Sequence, residues 1–215
     1  MRPRLIIFDM DGTLIDSEVV AKKAFCVAGK EFKVGVDESN FIEFVGLSAK
    51  SVKEKLMEMC KDEEKVNTFL YAKDLILNRI VKDEGLIVKK GILELLTYLK
   101  EKNYKLAVAT SSNKSDAEYR LKLTGLLNYF DIIVGGDGVG NGKPAPDIYI
   151  KVAKEANVDV SECIVFEDSL QGAIASLNAK MITILIPDLI KPTDYIRANV
   201  YTILNSAEEA IKLID

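Results

Sequence analysis

The sequence contains no histidine. A Ser-His-Asp triad therefore cannot be formed, and neither can a histidine-ligated zinc site. An imidazole acid or base is excluded for the same reason. This one absence removes three common kinds of catalytic or metal-binding arrangement.

Cysteine is scarce, and long apolar runs are missing near the start of the chain. Cys26, Cys60 and Cys163 are widely separated and form no CxxC pair. Such scatter is typical of buried thiols in a reducing compartment rather than of a disulfide framework. The run from Leu5 to Phe8 is too short for a signal peptide or a membrane span. We therefore expect a cytoplasmic protein with no membrane partner.

The chain also lacks an excess of positive charge. Its 29 Lys and Arg residues against 33 Asp and Glu residues give a net charge of -4, which argues against a nucleic-acid partner. An apolar content of 48% and a charged content of 29% are typical of a folded globular protein. No sequence feature demands a second chain, so a monomer is expected.

Short, continuous apolar runs recur along the chain and indicate buried strands. Helical patterns lie between them, for example with Ile92, Leu95, Leu96 and Leu99 on one face. This alternation predicts an α/β fold, a doubly wound, Rossmann-like parallel sheet covered by helices on both faces. The predicted strands are 5–8, 106–109, 132–134, 164–166, 181–186 and 200–204.

Residues 17–83 interrupt this alternation. They contain no buried-strand run and are rich in Lys, Glu, Ala, Leu and Met, which favour helix. Because they follow the first strand directly, we expect a small all-helical cap inserted into a core domain of residues 1–16 and 84–215. Hinges near 15–17 and 83–90 would let the cap close over the core as a lid.

Polar side chains follow four of the predicted strands. A parallel sheet binds ligands outside the carboxyl ends of its strands, so these side chains are expected to meet at one edge. Carboxylates, hydroxyls and a single lysine there suit a hard cation bridged to a phosphate group. The segments are Asp9-Met10-Asp11-Gly12-Thr13, Thr110-Ser111-Ser112, Lys143 in the loop after the third strand, and Glu167-Asp168-Ser169.

The sign of these charges suggests a mechanism. Crowded carboxylates repel each other unless a divalent cation neutralises them, and Mg²⁺ binds a few carboxylates together with waters and a phosphate oxygen. The cation and Lys143 would then allow Asp9 to attack a phosphoryl group and form an aspartyl-phosphate. Asp11, two residues on, would serve as acid and then as base. The expected substrate is a small phosphorylated metabolite.

The segments FDMDGTLIDSE, VATSS, GKPAPD and VFEDS, in this order, resemble the haloacid dehalogenase superfamily, and more closely its β-phosphoglucomutase-like branch with an inserted helical cap. The resemblance covers residues 5–17 and about 88–186. It implies Asp9 as the nucleophile, Asp11 as the acid/base, and Thr110, Ser111 and Lys143 as phosphate-binding groups.

The same resemblance implies a cofactor site. Mg²⁺ would be held by Asp9, by the backbone carbonyl of Asp11 and by Asp168. Glu167 would support it through a water molecule.

Departures from the family pattern narrow the expected activity. Dehalogenases of the superfamily lack the second acid that Asp11 provides, so carbon–halogen cleavage is disfavoured. Ala21 and Ala49 stand where the mutases carry a cap histidine and a cap arginine. We therefore expect a phosphatase of sugar phosphates, with a hexose-phosphate mutase as the alternative.

A non-catalytic phospho-acceptor signalling domain is a further alternative. Its phosphorylated Asp should end a middle strand. The second and third predicted strands end instead in Thr110 and Gly135.

Overall fold

The computed structural model describes residues 3–45, 47 and 49–214. The chain divides into two compact units, a core unit of residues 1–16 and 87–215 and a helical unit of residues 17–86. The expected boundary at Asp83 falls inside a helix that runs to Glu84. The second unit therefore ends three residues beyond the position that sequence composition suggested.

The strands and α-helices have the following bounds. The strands are β1 Leu5–Phe8, β2 Ile15–Asp16, β3 Ile87–Val88, β4 Lys105–Ala109, β5 Ile132–Val134, β6 Cys163–Glu167, β7 Ile182–Leu185 and β8 Thr202–Ile203. The helices are α1 Glu18–Phe32, α2 Ala49–Cys60, α3 Glu63–Glu84, α4 Ile92–Glu101, α5 Lys114–Leu123, α6 Asp147–Ala156, α7 Leu170–Asn178, α8 Asp194–Asn199 and α9 Glu208–Ile214. Within the described ranges, no helix has the length and apolar character that crossing a bilayer requires.

A six-stranded parallel sheet forms the core unit, in the order β5-β4-β1-β6-β7-β8. All four residues of β1 are fully buried because both faces of the sheet are covered. Leu5 and Ile7 belong to an apolar cluster with Tyr149 of α6, while Phe8 stacks on Phe166 of β6 with ring centroids 4.8 Å apart. These contacts confirm the predicted doubly wound sheet.

The strand order reverses beside β1. The chain runs outward from β1 through β4 to β5, and then returns to pair β6 on the opposite side of β1. A crevice forms at such a reversal, outside the carboxyl ends of the strands, and this is where sheets of this kind bind ligands. The ends of β1, β4 and β6 therefore mark the place to look for a site.

Two strands were not anticipated from sequence. Ile15 and Asp16 of β2 pair antiparallel with Val88 and Ile87 of β3, so the segments predicted as hinges form a short ribbon in the core unit. Each strand has two residues, which is too short to show a hydrophobic period.

An aromatic cluster forms the interior of the helical unit. The ring of Phe25 in α1 lies 5.1 Å from Phe69 of α3, 5.6 Å from Phe41 and 5.0 Å from Phe44, centroid to centroid. Edge-to-face packing of this kind adds to the free energy gained by burying the rings. The helical unit thus has an apolar core of its own.

Truncation of Phe69 tests this core. Phe69 is fully buried, so Phe69→Ala should lower the free energy of unfolding by about 3–5 kcal/mol through lost burial and a residual cavity. Urea denaturation followed by far-UV circular dichroism measures the change. Tyr71→Ala, two residues along the same helix at a position 68% exposed, is the control and should cost less than about 0.5 kcal/mol. Equal losses in the two variants would contradict the assignment.

Candidate active site

The carboxyl ends of three adjacent strands bring polar residues to one edge of the sheet. Phe8 pairs with Val108 of β4 on one side and with Phe166 of β6 on the other. Asp9 therefore follows β1 at the level of Ala109 on one side and Glu167 on the other, and Thr110 comes one residue further along. The Asp9 backbone N–H continues the ladder by donating to the carbonyl of Phe166 at 2.9 Å.

Lys143 joins two of the predicted acidic residues. Its ammonium group donates to Asp9 Oδ1, to Glu167 Oε1 at 2.6 Å and to the Ala109 carbonyl at 3.3 Å. Burial alone would lower the pKa of Lys143, but the charges of Asp9 and Glu167 raise it well above its usual value. The lysine side chain is only 7% exposed, and the two carboxylates that flank it are what favours its charged form.

Glu167 is saturated with donors and fully buried. Lys143 and the Tyr149 hydroxyl, at 2.7 Å, donate to Oε1. The backbone N–H groups of Asp168 and Ser169, both at 3.1 Å, and the Ser169 hydroxyl at 3.0 Å donate to Oε2. Burial opposes the charged form, yet the contacts with Lys143 and Tyr149 lower the pKa of Glu167 below its usual value.

These contacts give Glu167 a role that the sequence did not indicate. Five donors surround its two carboxylate oxygens, so Glu167 anchors Lys143 and the loop after β6. Its expected support of a metal through a water molecule stays a prediction. A Cβ atom added to Gly172 would lie 1.6 Å from Glu167 Oε1, so only glycine fits at that position.

Asp168 points toward the turn that follows β1. Its Oδ1 accepts a hydrogen bond from the Thr13 hydroxyl at 3.0 Å. Gly12 has φ +92°, and a Cβ there would lie 2.3 Å from Asp168 Oδ2. Glycine is thus required both for the backbone conformation and for the close approach of this carboxylate.

Several negative charges lie close together around Asp9 and Asp168. Burial, with the charges of Glu167 and Asp9, raises the pKa of Asp168 well above its usual value. Burial also raises the pKa of Asp9 to about 8; Lys143 opposes this rise and Glu167 adds to it. A further cation at Asp9 and Asp168 would favour the ionised form of both groups.

The donor set fits Mg²⁺. Among residues 3–45, 47 and 49–214, no three acidic or thiol side chains are arranged as a preformed metal cage. Mg²⁺ does not need one, because it keeps several waters and binds through one or two carboxylates together with a substrate phosphate. Asp9 and Asp168 can supply those two carboxylates.

The hydroxyl segment after β4 is placed beside Asp11. Thr110 is buried, and its Oγ1 accepts the backbone N–H of Ser112 at 3.1 Å. Ser111 is exposed. Gly136 packs so closely on this segment that a Cβ there would lie 2.5 Å from the Ser111 carbonyl oxygen.

Asp11 has partners that the sequence did not reveal. Ser112 Oγ donates to Asp11 Oδ2 at 2.9 Å, and Arg120 Nη1 donates to Asp11 Oδ1 at 3.1 Å. Arg120 lies eight residues beyond Ser112, in α5. No motif points to it, since the contact depends on how α5 is rotated against the strand ends.

Most of the predicted residues lie in three contact groups, one of which also contains Arg120, which was not predicted; Thr110 and Ser111 lie outside these groups. The first joins Asp9, Lys143 and Glu167. The second joins Asp168 to Thr13, and the third joins Asp11 to Ser112 and Arg120.

Two positions relevant to the mutase alternative lie in the helical unit. Ala21 is a partly buried residue of α1. The side chain of Ala49, together with Gly46 and Ser48, lies outside the described residues.

Comparison with known proteins gives the family. The model of the family described as haloacid dehalogenase-like hydrolase matches residues 6–186, which include every residue of the three contact groups. The chain belongs to this family. Membership confirms the resemblance drawn from the four motifs.

Proteins from several organisms are similar to this chain. A phosphorylated carbohydrates phosphatase of Thermotoga maritima is 33% identical, over 81% of this chain and 80% of that protein. Protein SUPPRESSOR OF QUENCHING 1, chloroplastic, of Arabidopsis thaliana is 38% identical over 82% of this chain, but the match spans only 17% of its length. The solved structure of a putative β-phosphoglucomutase from Thermotoga maritima has a TM-score of 0.80 at 29% identity, covering 100% of this chain and 98% of that one.

Tyr149→Phe tests the anchoring of Glu167. The substitution removes a buried hydrogen bond to a charged acceptor while keeping the ring, so the free energy of unfolding should fall by about 1.5–3 kcal/mol. Urea denaturation of the hydrolase and its variant measures the difference. Tyr119→Phe changes a tyrosine that is 44% exposed and should leave stability within about 0.5 kcal/mol. A Tyr149→Phe variant as stable as the wild type would remove this role.

Proposed function

We propose that the chain is a Mg²⁺-dependent phosphatase of small phosphomonoesters, with sugar phosphates as the leading substrate class. The observation that carries the proposal is the position of Lys143, whose ammonium group contacts Asp9 at the end of β1 and Glu167 at the end of β6. The relatives support it, because the Thermotoga maritima protein is a phosphatase of phosphorylated carbohydrates.

Asp9 acts as the nucleophile in the first half of the reaction. A carboxylate oxygen of Asp9 forms a bond to phosphorus, and the bond from phosphorus to the ester oxygen breaks. Asp11 gives a proton to the departing alkoxide, which leaves as an alcohol. The product of this half is an aspartyl-phosphate on Asp9.

Water completes the reaction. Asp11, now ionised, takes a proton from a water molecule whose oxygen attacks phosphorus. The bond from phosphorus to the Asp9 oxygen breaks, inorganic phosphate leaves and both aspartates return to their starting forms. The partial exposure of the Asp11 side chain, 31% against 9% for Asp9, suits a group that must meet both alcohol and water.

Positive charge allows an anionic nucleophile to approach an anionic ester. The buried Lys143 ammonium offsets the repulsion between Asp9 and the phosphoryl oxygens. Thr110 and Ser111 would bind those oxygens ahead of the N-terminus of α5, where free backbone N–H groups favour anions. A Mg²⁺ ion held by Asp9, Asp168 and the backbone carbonyl of Asp11 would supply Lewis-acid neutralisation of the same charge.

The proposal also gives the helical unit a role and the enzyme a cellular location. Residues 17–86 would act as a cap that sets substrate choice and excludes water; their insertion between β2 and β3, rather than within the parallel sheet, supports this role. The free cysteines Cys26, Cys60 and Cys163 are in keeping with a cytoplasmic enzyme.

Asp9→Asn is the direct test of the chemistry. Because an amide cannot form the phospho-enzyme, phosphate release from a panel of phosphomonoesters should fall by at least about a thousandfold. Glu155→Gln, at an exposed position of α6, is the control and should keep wild-type activity. Retained activity in Asp9→Asn would refute the mechanism, and bisphosphate-dependent interconversion of hexose 1- and 6-phosphates would favour a mutase.

Metal removal provides an independent test. EDTA should abolish phosphate release and added Mg²⁺ should restore it. A Mg²⁺ concentration 100 times the Kd should stabilise the wild type by about 2.7 kcal/mol, which corresponds to a rise in Tm of roughly 5–10 °C. Asp168→Asn should lose this rise. Activity that is indifferent to EDTA would exclude the metal.

A further inference from the structure

A buried arginine lies directly behind the second aspartate of the site. The Arg120 side chain, in α5, is 9% exposed, and arginine is rarely so buried unless it is paired. Its Nη1 lies 3.1 Å from Asp11 Oδ1 and 3.4 Å from Ser112 Oγ. A guanidinium group in this position must have a favourable interaction with the carboxylate to offset its lost hydration.

The three side chains close a triangle of hydrogen bonds. Arg120 donates to Asp11 and to Ser112, and Ser112 Oγ donates to the other oxygen of Asp11 at 2.9 Å. Each carboxylate oxygen of Asp11 thereby accepts a bond from the protein and keeps another lone pair. Rotation of the carboxylate about either side-chain torsion would break at least one of these contacts.

We propose that Arg120, together with Ser112, is a positioning residue that fixes the Asp11 carboxylate for its two proton transfers. The inference rests on the proposed function and adds a residue to it. A proton is transferred efficiently only when its donor is held within hydrogen-bond reach of the reacting oxygen. Arg120 and Ser112 supply that constraint from the side of α5, leaving the remaining lone pairs of Asp11 for alcohol and water.

The choice of arginine is consistent with this role. A guanidinium group is planar and presents its N–H donors in a rigid fork, so that it can contact Ser112 and Asp11 at once. Lysine at position 120 would keep the charge without the fixed geometry. The proposal therefore predicts that charge alone recovers only part of the function.

Leaving-group dependence separates positioning from a merely structural role. An alkyl phosphomonoester needs its leaving alkoxide protonated, whereas p-nitrophenolate leaves with little help. Arg120→Met should therefore lower kcat/KM, which reports phosphoryl transfer to Asp9, by about 10–100-fold for an alkyl ester, the usual cost of losing an orienting partner. The loss of kcat/KM for p-nitrophenyl phosphate should be less than about threefold. Hydrolysis of the aspartyl-phosphate is common to both esters, so it affects kcat but leaves this comparison unchanged.

A double-mutant cycle shows whether Arg120 acts through Asp11. In the Asp11→Asn background, Arg120→Met should cause no further loss on the alkyl ester, because the group that it positions is already gone. Ser112→Ala should show a smaller loss with the same preference for the alkyl ester. Arg120→Lys should fall between Arg120→Met and the wild type.

Several outcomes would overturn the proposal. Equal losses of kcat/KM on both esters, or losses that multiply in the Asp11→Asn background, would make Arg120 a purely structural residue. A rise in kcat/KM would mean that Arg120 holds Asp11 away from its working position. If Arg120→Met does not fold, as judged by its thermal transition, the leaving-group comparison is decided by Arg120→Lys and Ser112→Ala.

The inference can also be separated from the proposed function. If the wild type releases phosphate from no ester in the panel, the proposed function fails. The position of the Asp11 carboxylate in crystal structures of Ser112→Ala and Arg120→Lys then decides whether Arg120 and Ser112 hold this carboxylate in place. A carboxylate displaced from its wild-type position supports the role of the triangle, and an unchanged carboxylate in both variants overturns it.

Discussion

A lysine ammonium buried between two carboxylates is the interaction on which this site depends. Lys143 contacts Asp9 and Glu167 at the ends of neighbouring strands, and removing the lysine would leave two buried carboxylates without a cation. The interaction in turn constrains its surroundings. Tyr149 must donate to Glu167, and position 172 must be glycine because a Cβ would overlap the carboxylate.

The main lines of this arrangement could be predicted from the sequence because they depend on short-range patterns. An apolar run such as Leu5–Phe8 with a polar residue after it indicates a buried parallel strand and the end at which ligands bind. Once four such strands are aligned, Asp9, Thr110 and Glu167 must share an edge, whatever the details of packing. Lys143 is expected at the same edge for the same reason, because it lies in the loop after the third predicted strand.

Contacts between side chains could not be predicted in this way. The charge and position of Glu167 could be predicted, but the five donors that make it an anchor for Lys143 and for the loop after β6 could not. Arg120 sits in a helix whose apolar periodicity does not indicate which face meets the strand ends. The ribbon of β2 and β3 consists of two antiparallel strands of two residues each. Strands this short show no hydrophobic periodicity in the sequence.

Asp9 and Asp11 are identical side chains two residues apart in the sequence, yet their surroundings suit the two different roles proposed for them. Asp9 is nearly buried and bound by an ammonium group, whereas Asp11 is 31% exposed and bound by a guanidinium group and a hydroxyl. A nucleophile needs its charge balanced without losing its lone pairs, and one buried point charge does this. An acid/base group needs a fixed orientation and access to solvent, which a planar donor on one side provides. Environment, rather than residue type, therefore distinguishes the two proposed roles.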